Sequence, residues 1–211
     1  MSHRYRPVLA LCYGLLILLS SVALAAEFYP ARIAVYFSPN GGATDAIIRE
    51  VNAAAQQILV QAYSFTSAPI AKALIAAHKR GVQVRVLLDK SNETATYTAA
   101  TFMLNAGIPT LIDDQHAIAH NKIMILDHAT VLEGSFNFTK AAEEKNAENL
   151  NVIKDSPALV QEYEANFQAH AAHSHRYTRG SATASSPAAP SGAWQKYAYN
   201  RTYGIIRAKN G

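Results

Sequence analysis

At 211 residues, half of them hydrophobic, the chain has room for one ordinary domain with a real core, plus extensions. Its formal net charge of +4 hides an asymmetry: residues 27–164 carry 11 basic and 15 acidic side chains, whereas residues 165–211 carry six basic ones and no acid. The one cysteine, Cys12, lies near the start, so the remainder excludes a disulfide framework, a thiolate nucleophile and a cysteine metal site.

Residues 1–26 have the order of a signal peptide. Arg4 and Arg6 come first, an apolar run over 8–19 follows, and Ala23-Leu24-Ala25 supplies a small-x-small cleavage site. Cleavage after Ala25 or Ala26 implies a periplasmic or secreted protein. A retained membrane anchor is the alternative reading, but the apolar run is shorter than the ~20 residues that a span uses. In Leu9-Ala10-Leu11 before Cys12, the bulky Leu11 stands where a lipoprotein signal wants a small residue, which argues against lipidation.

Residues 27–173 are expected to form the domain. The run RIAVYF (32–37) reads as a buried strand, ended by Ser38-Pro39-Asn40-Gly41-Gly42. Thr44 can cap a helix to about Ala55, with Ile47, Ile48 and Val51 on its inner face. A strand over 58–62 leads through the turn Ser64-Phe65-Thr66-Ser67 into a helix over 69–80, stopped by Gly81. Strands are predicted over 82–88 and 108–112, with a helix over 96–105 between them. Segments 122–126 and 130–132 flank Asp127-His128-Ala129 as a hairpin. A strand over 150–153 is followed by a helix that Ser156 caps, with Leu159, Tyr163 and Phe167 on one face. Strand–helix alternation followed by a hairpin implies an α/β fold: a mixed, largely parallel sheet with helices on both faces. Residues 174–211 read as a basic, aromatic tail carrying the Ser/Ala/Pro/Gly linker 180–193.

The chemistry concentrates in 120–149. His120, Lys122 and Asp127 have the spacing H-x-K-x4-D, and the alternation of a strand puts His120 and Lys122 on one face. An imidazole is a capable nucleophile near neutral pH, and a lysine beside it offers a fixed cation for a phosphate oxygen. In Gly134-Ser135-Phe136-Asn137-Phe138-Thr139, Ser135 and Asn137 can face one side while the two phenylalanines face the core. Asn137 can then donate to a second phosphate oxygen, which completes a cradle without a metal. Glu148 can hold the other nitrogen of the imidazole and fix its tautomer.

H-x-K-x4-D followed by G-S-x-N-x-T resembles the signature of the phospholipase D superfamily, and most closely its small bacterial endonucleases with one motif per chain. The resemblance runs from Val35 to Phe167 and includes YFSPNGG (36–42), AYSFTS (62–67), Arg80-Gly81-Val82 and Gly107-Ile108-Pro109. It implies a phosphodiesterase with His120 as nucleophile, Lys122, Ser135 and Asn137 around the phosphate, and Glu148 as the partner of His120. Asp127 completes the motif and is expected to act structurally, because the strand carries it away from His120. Asn121 sits inside the motif and is expected to point away from the pocket.

The reaction needs two histidines, and the chain has no second motif: His78 is followed directly by Lys79, and His116 has Ile118 two positions on. The resemblance therefore implies a homodimer with one active site between two copies of His120. It implies no cofactor and no metal. The substrate it implies is nucleic acid, DNA with RNA also open; a phospholipase acting on lipid head groups is the second reading, and a non-enzymatic nucleic-acid-binding protein the third.

Other features carry less. His170, His173 and His175 form H-x2-H-x-H, but no acid lies near them in sequence, so a metal site is not expected. Asp113-Asp114 reads as a solvated loop and His128 as an exposed turn residue. In the tail, Tyr177, Trp194, Tyr197, Tyr199 and Tyr203 interleave with six cations, a composition that suits a nucleic-acid backbone or a disordered extension equally.

Overall fold

The computed structural model describes residues 28–95 and 98–178, and the backbone of a separate two-stranded hairpin at Tyr197–Asn200 and Ile205–Ala208. Residues 1–26, read above as a signal peptide, and the linker 180–193 lie outside the described residues.

The domain is one eight-stranded sheet with helices on both faces. In chain order its elements are β1 (Arg32–Ser38), α1 (Ala43–Ala53), β2 (Gln57–Ala62), α2 (Ala68–Lys79), β3 (Gln83–Asp89), α3 (Ser91–Thr94), α4 (Ala100–Asn105), β4 (Thr110–Asp113), β5 (Lys122–Leu126), β6 (Thr130–Gly134), α5 (Lys140–Glu144), β7 (Glu148–Lys154), α6 (Pro157–His173) and β8 (His175–Arg176). The strand order across the sheet is β1-β7-β6-β5-β2-β3-β4-β8.

The mixed α/β class agrees with the sequence, but the balance of strand directions does not. Only β2–β3 and β3–β4 pair in parallel; every other neighbouring pair is antiparallel. Helical crossovers α2 and α4 give the parallel pairs; the loop 114–121 brings β5 back antiparallel to β2, and the hairpin at Asp127-His128 turns the chain again into β6. Both hairpin residues adopt positive φ, 52° and 55°, the geometry of a tight turn that matches strand twist.

The two faces have unequal cores. Alternate residues Ile58, Val60 and Ala62 of β2 meet Ile47, Val51, Ile70 and Leu74 of α1 and α2. The opposite residues Leu59, Leu87, Ile125 and Val131 meet Val160 and Phe167 of α6. Phe167 is fully buried; truncating such a ring to alanine costs ~3–5 kcal/mol. Helix α6 packs on β4, β5 and β6. The strand expected to be buried is instead the exposed edge strand β1, whose same face stays open, with Ile33, Val35 and Phe37 exposed by 58, 49 and 66 % because no helix among the described residues covers that face of the edge.

Two expected helix caps are replaced. Thr44 lies inside α1, and the cap position is Gly42 at φ 82°. The carboxylate of Glu143 accepts from the backbone N–H groups of Gly42 and Thr44 at 3.0 and 2.7 Å, so an acid from α5 satisfies the first turn of α1. Ser156 precedes α6 without a side-chain cap bond. Among the described residues no helix is long and apolar enough to cross a membrane.

Candidate active site

The motif residues gather at one end of the sheet. Lys122 opens β5 opposite Ala62, the last residue of β2. Gly134 ends β6 opposite Leu150, and Glu148 begins β7 opposite Ser38, the last residue of β1. Five strand ends thus lie at the end of the sheet where the segment that holds His120 enters β5.

His120 precedes β5 and is exposed, as a nucleophile must be. Its ring packs against Tyr63, with centroids 4.6 Å apart and planes tilted by 54°. Lys122 is buried, and its Nζ lies 5.0 Å from the centre of the same tyrosine ring. Nζ also donates to the His120 carbonyl at 2.8 Å, which ties the cation to the backbone of His120. Burial pushes the Lys122 ammonium below its ordinary value of 10.5, and the charge of Glu148 opposes that shift in part. Tyr63 went unnoticed in the sequence. Its only signal there is an aromatic residue directly after the strand that pairs with the motif.

The second half of the motif is placed by backbone constraints. A Cβ on Gly134, at φ 151°, would meet the Asn149 carbonyl oxygen at 2.3 Å, so the close approach of β6 and β7 requires glycine. Ser135 is exposed, and its Oγ accepts from the Asn149 N–H at 3.0 Å. Phe136 and Phe138 are buried in the core, as their alternation implies. The Phe138 carbonyl accepts from the N–H groups of Thr66 and Ser67 at 3.0 and 2.9 Å, docking this loop onto the turn that follows Tyr63. Asn137 Oδ1 is buried with no hydrogen-bond partner among the described residues. Oδ1 is an acceptor, so only a group that bears a proton, such as water or a hydroxyl, can complete its bonding; contact with a phosphate oxygen falls to the Nδ2 donor of the same amide. Thr139, the last motif residue, is a helix cap: its Oγ1 accepts from the Ala142 N–H at 3.1 Å.

Glu148 does not hold His120 within the chain. Its carboxylate accepts from the Asn146 amide at 3.0 Å, and no hydrogen bond joins it to His120 among the described residues. Its nearest electrostatic partner in the site is Lys122. Asp127 is set apart from the nucleophile by the length of β5, roughly 15 Å at ~3.3 Å per residue. Its carboxylate accepts from the N–H groups of Ala55, Gln56 and Gln57 at 2.8, 2.7 and 2.9 Å. Burial would raise the Asp127 carboxyl, but these three bonds outweigh it and hold it below its ordinary 3.8. Asp127 therefore clamps the start of β2 and does not belong with the catalytic groups. Asn121 uses its carbonyl to accept from Tyr63 at 2.7 Å, extending the β2–β5 ladder.

The histidines near the end of α6 depart from expectation. The acid that the sequence lacked beside His170 and His173 arrives from β4: Asp113 is fully buried, not solvated, and faces both of them together with His116. His175 instead meets Glu93 at 3.2 Å. His128 is paired with Glu164 at 2.6 Å.

Fold and site together define a phosphodiesterase class, and comparison with known proteins gives it a family. The profile described as "Cardiolipin synthase, PLD-like domain" matches residues 47–171. The chain belongs to this phospholipase D-like family and is a phospholipase D superfamily phosphodiesterase. It is 40 % identical over 141 residues to a phospholipase D of Rickettsia felis, covering 67 % of this chain and 70 % of that one. Among solved structures it resembles Nuc, a phospholipase D family member from Salmonella typhimurium, with a TM-score of 0.68 and 39 % identity over 70 % of this chain and 99 % of that one. NucT from Helicobacter pylori shares the fold, with a TM-score of 0.65 at 20 % identity, over 70 % of this chain and 100 % of that one.

Proposed function

We propose that this phosphodiesterase cleaves nucleic-acid backbones, DNA foremost, as a homodimer whose single active site contains His120 from each chain. The observation that carries the reading is the exposed imidazole of His120, set against Tyr63 beside the buried cation of Lys122. One chain thus supplies one nucleophile and one phosphate-binding cation, half of what the chemistry needs. Nuc, a phospholipase D family member matched over 99 % of its chain by 70 % of this one, supports a compact enzyme of this size.

The cycle uses both rings. Neutral His120 of one chain attacks phosphorus, the P–O bond to the leaving oxygen breaks, and protonated His120 of the partner subunit gives that oxygen its proton. The resulting phosphohistidine is opened by water, which loses its proton to the now neutral second ring. Lys122 and Asn137 carry the charge on the non-bridging oxygens. These groups supply the cation, the nucleophile and the acid, so no step calls for a metal.

The dimer is supported by apolar surface near the site. Ile118, two residues before His120, is 57 % exposed, and β1 presents Ile33, Val35 and Phe37 to solvent. A two-fold contact covering such residues would bring identical groups across its axis. Light scattering during size-exclusion chromatography is expected to give twice the chain mass, and Phe37→Glu to shift it toward the monomer. The leader and the basic tail fit an exported enzyme that meets polyanions outside the cytoplasm.

The relatives named phospholipase D favour a second reading, turnover of phospholipid head groups at the same histidine. Plasmid nicking and phosphatidylcholine hydrolysis, both in EDTA and well below the unfolding temperature, separate the two. Nicking that disappears in His120→Ala supports the nuclease. Lipid turnover without nicking replaces it with the second reading.

A further inference from the structure

We propose that Asp113, His116, His170 and His173 form a binding site for one divalent transition-metal ion, Zn2+ by its donor set, which fixes the loop that delivers His120. The four residues come from three separate segments: the end of β4, the loop after it and the last turn of α6. One donor atom from each lies within 4.8 Å of the others. Asp113 is fully buried, while His170, His173 and His116 are exposed by 15, 37 and 45 % of their side chains, which leaves an ion a way in.

The geometry favours an ion over a simple hydrogen-bonded hub. His170 Nδ1, His116 Nδ1 and His173 Nε2 all converge on one oxygen, Asp113 Oδ2, at 2.7, 3.0 and 3.4 Å. A carboxylate oxygen offers about two lone-pair sites, so three ring nitrogens crowd it, with His116 Nδ1 shared at 3.1 Å with the other oxygen, Oδ1. The other oxygen already accepts from the Gln115 N–H at 3.2 Å. Four N and O donors around a cation need no such sharing. Tetrahedral Zn2+ with bonds of about 2.0–2.2 Å places its ligands roughly 3.3–3.6 Å apart, a spacing that these donors reach by small rotations. The rings surround a point: their centroids are 4.8, 5.2 and 5.4 Å apart. The carbonyl end of α6 adds negative potential beside His170 and His173, which also favours a cation.

Four protein ligands make a closed, structural shell with no open position for substrate. Its consequence lies in position. Asp113 and Lys122 end strands three spacings apart, roughly 14 Å at ~4.8 Å each, on the same edge of the sheet. The chain between them is the loop that carries His116 and then His120. Lys90 Nζ donates to the His116 carbonyl at 2.9 Å, and Asp89 Oδ2 accepts from the Ala119 N–H at 2.8 Å. An ion at Asp113 would hold this loop to α6 from the other side.

The test uses the chain as isolated without a histidine tag. After chelation and dialysis, ZnCl2 is titrated against it by calorimetry and by melting temperature, and CoCl2 by visible spectrum. The site predicts one Zn2+ per chain, a raised melting temperature and the strong visible absorption of four-coordinate Co2+. His116→Ala and His173→Ala should each weaken Zn2+ binding more than about a hundredfold, beyond what loss of an outer-shell partner does. His175→Ala, which leaves the four donors intact, should still bind one equivalent. Absence of stoichiometric Zn2+ on the unmodified chain, or equal binding by His116→Ala, His173→Ala and the unmodified chain, would overturn the site. None of these readouts is activity, so the result does not depend on which phosphodiester the enzyme cuts.

Discussion

At one end of β5 the imidazole of His120 is exposed, and Asn137 Oδ1, at the same end of the sheet, is buried without a hydrogen-bond partner among the described residues. At the other end Asp127 has three backbone N–H donors on its two oxygens. Both ends belong to one sequence motif, yet one is left chemically incomplete and the other is saturated. Unsatisfied polar groups cost stability unless a ligand completes them, so they persist where a ligand binds. Saturated ones persist where the backbone must be held. The motif joins a site to the clamp that keeps its strand in register.

Substituting the exposed end should abolish chemistry and spare the fold. His120→Ala removes the nucleophile, and the rate of phosphodiester cleavage is expected to fall by roughly 10⁴-fold or more, with little change in melting temperature. On the proposed two-histidine cycle the wild-type rate should trace a bell against pH, with one ring neutral and its twin charged. A His120→Ala protein that retained appreciable cleavage would show that the incomplete end is not the site.

Lys122 stands between the two extremes, buried like a structural residue and charged like a catalytic one. Lys122→Met keeps the stem's volume and deletes the charge. A loss of about 10²–10³ in kcat is expected from the missing oxyanion partner, with a melting temperature that holds or rises. The sign follows from burial. The folded pKa lies below the ordinary 10.5, so the charged form is penalised in the fold, and wild-type stability should climb as pH rises through that lowered value. Activity should decline over the same interval as the cation is lost, at lower pH than for a solvent-exposed lysine. Rate against pH for wild type, beside thermal melts of both proteins, checks the pair of effects.

What the sequence disclosed follows the same division. Strand positions, the core faces of α1 and α6, and the alternation of Phe136 and Phe138 were legible because burial repeats with a period of two or nearly four residues. His120 and Lys122 stood out through the H-x-K-x4-D spacing taken together with the G-S-x-N-x-T segment that follows it. Other features depend on residues far apart in the chain. Glu143 caps α1 from about a hundred positions away. Asp113 reaches His170 across a separation of 57 residues, and Tyr63 meets His120 only because β2 pairs with β5. The antiparallel majority of the sheet has the same origin: periodicity identifies strands but not which neighbour each one takes.

At the saturated end the expected result reverses. Asp127→Ala leaves three N–H donors at Ala55, Gln56 and Gln57 to water and should cost about 1–3 kcal/mol of stability, while cleavage by the folded fraction stays near wild type. Its pH dependence has a definite direction. The folded Asp127 carboxyl titrates below its ordinary 3.8, so its stabilisation is complete above that value and is lost as pH falls through the lowered one. Urea unfolding should therefore separate wild type from Asp127→Ala widely at neutral pH and hardly at all in strong acid. A gap that stayed constant with pH would assign the clamp to the shape of the turn, not to the carboxylate.

The smallest effect should come from Tyr63, which touches the site without being asked for a proton. Its ring supports His120 at 4.6 Å and faces Lys122 Nζ at 5.0 Å, and both contacts use the aromatic face, not the hydroxyl. Tyr63→Phe keeps that face and should alter kcat by no more than about twofold, since the cation–ring attraction of roughly 0.5–2 kcal/mol survives. Tyr63→Leu removes it and frees the imidazole to rotate, so kcat should fall by about tenfold while the shape of the pH profile is kept, because the titrating groups are unchanged. If Tyr63→Phe were as impaired as Tyr63→Leu, the hydroxyl would have to bond substrate directly. The exposed end of β5 would then contain one more catalytic group than its contacts in the free chain disclose.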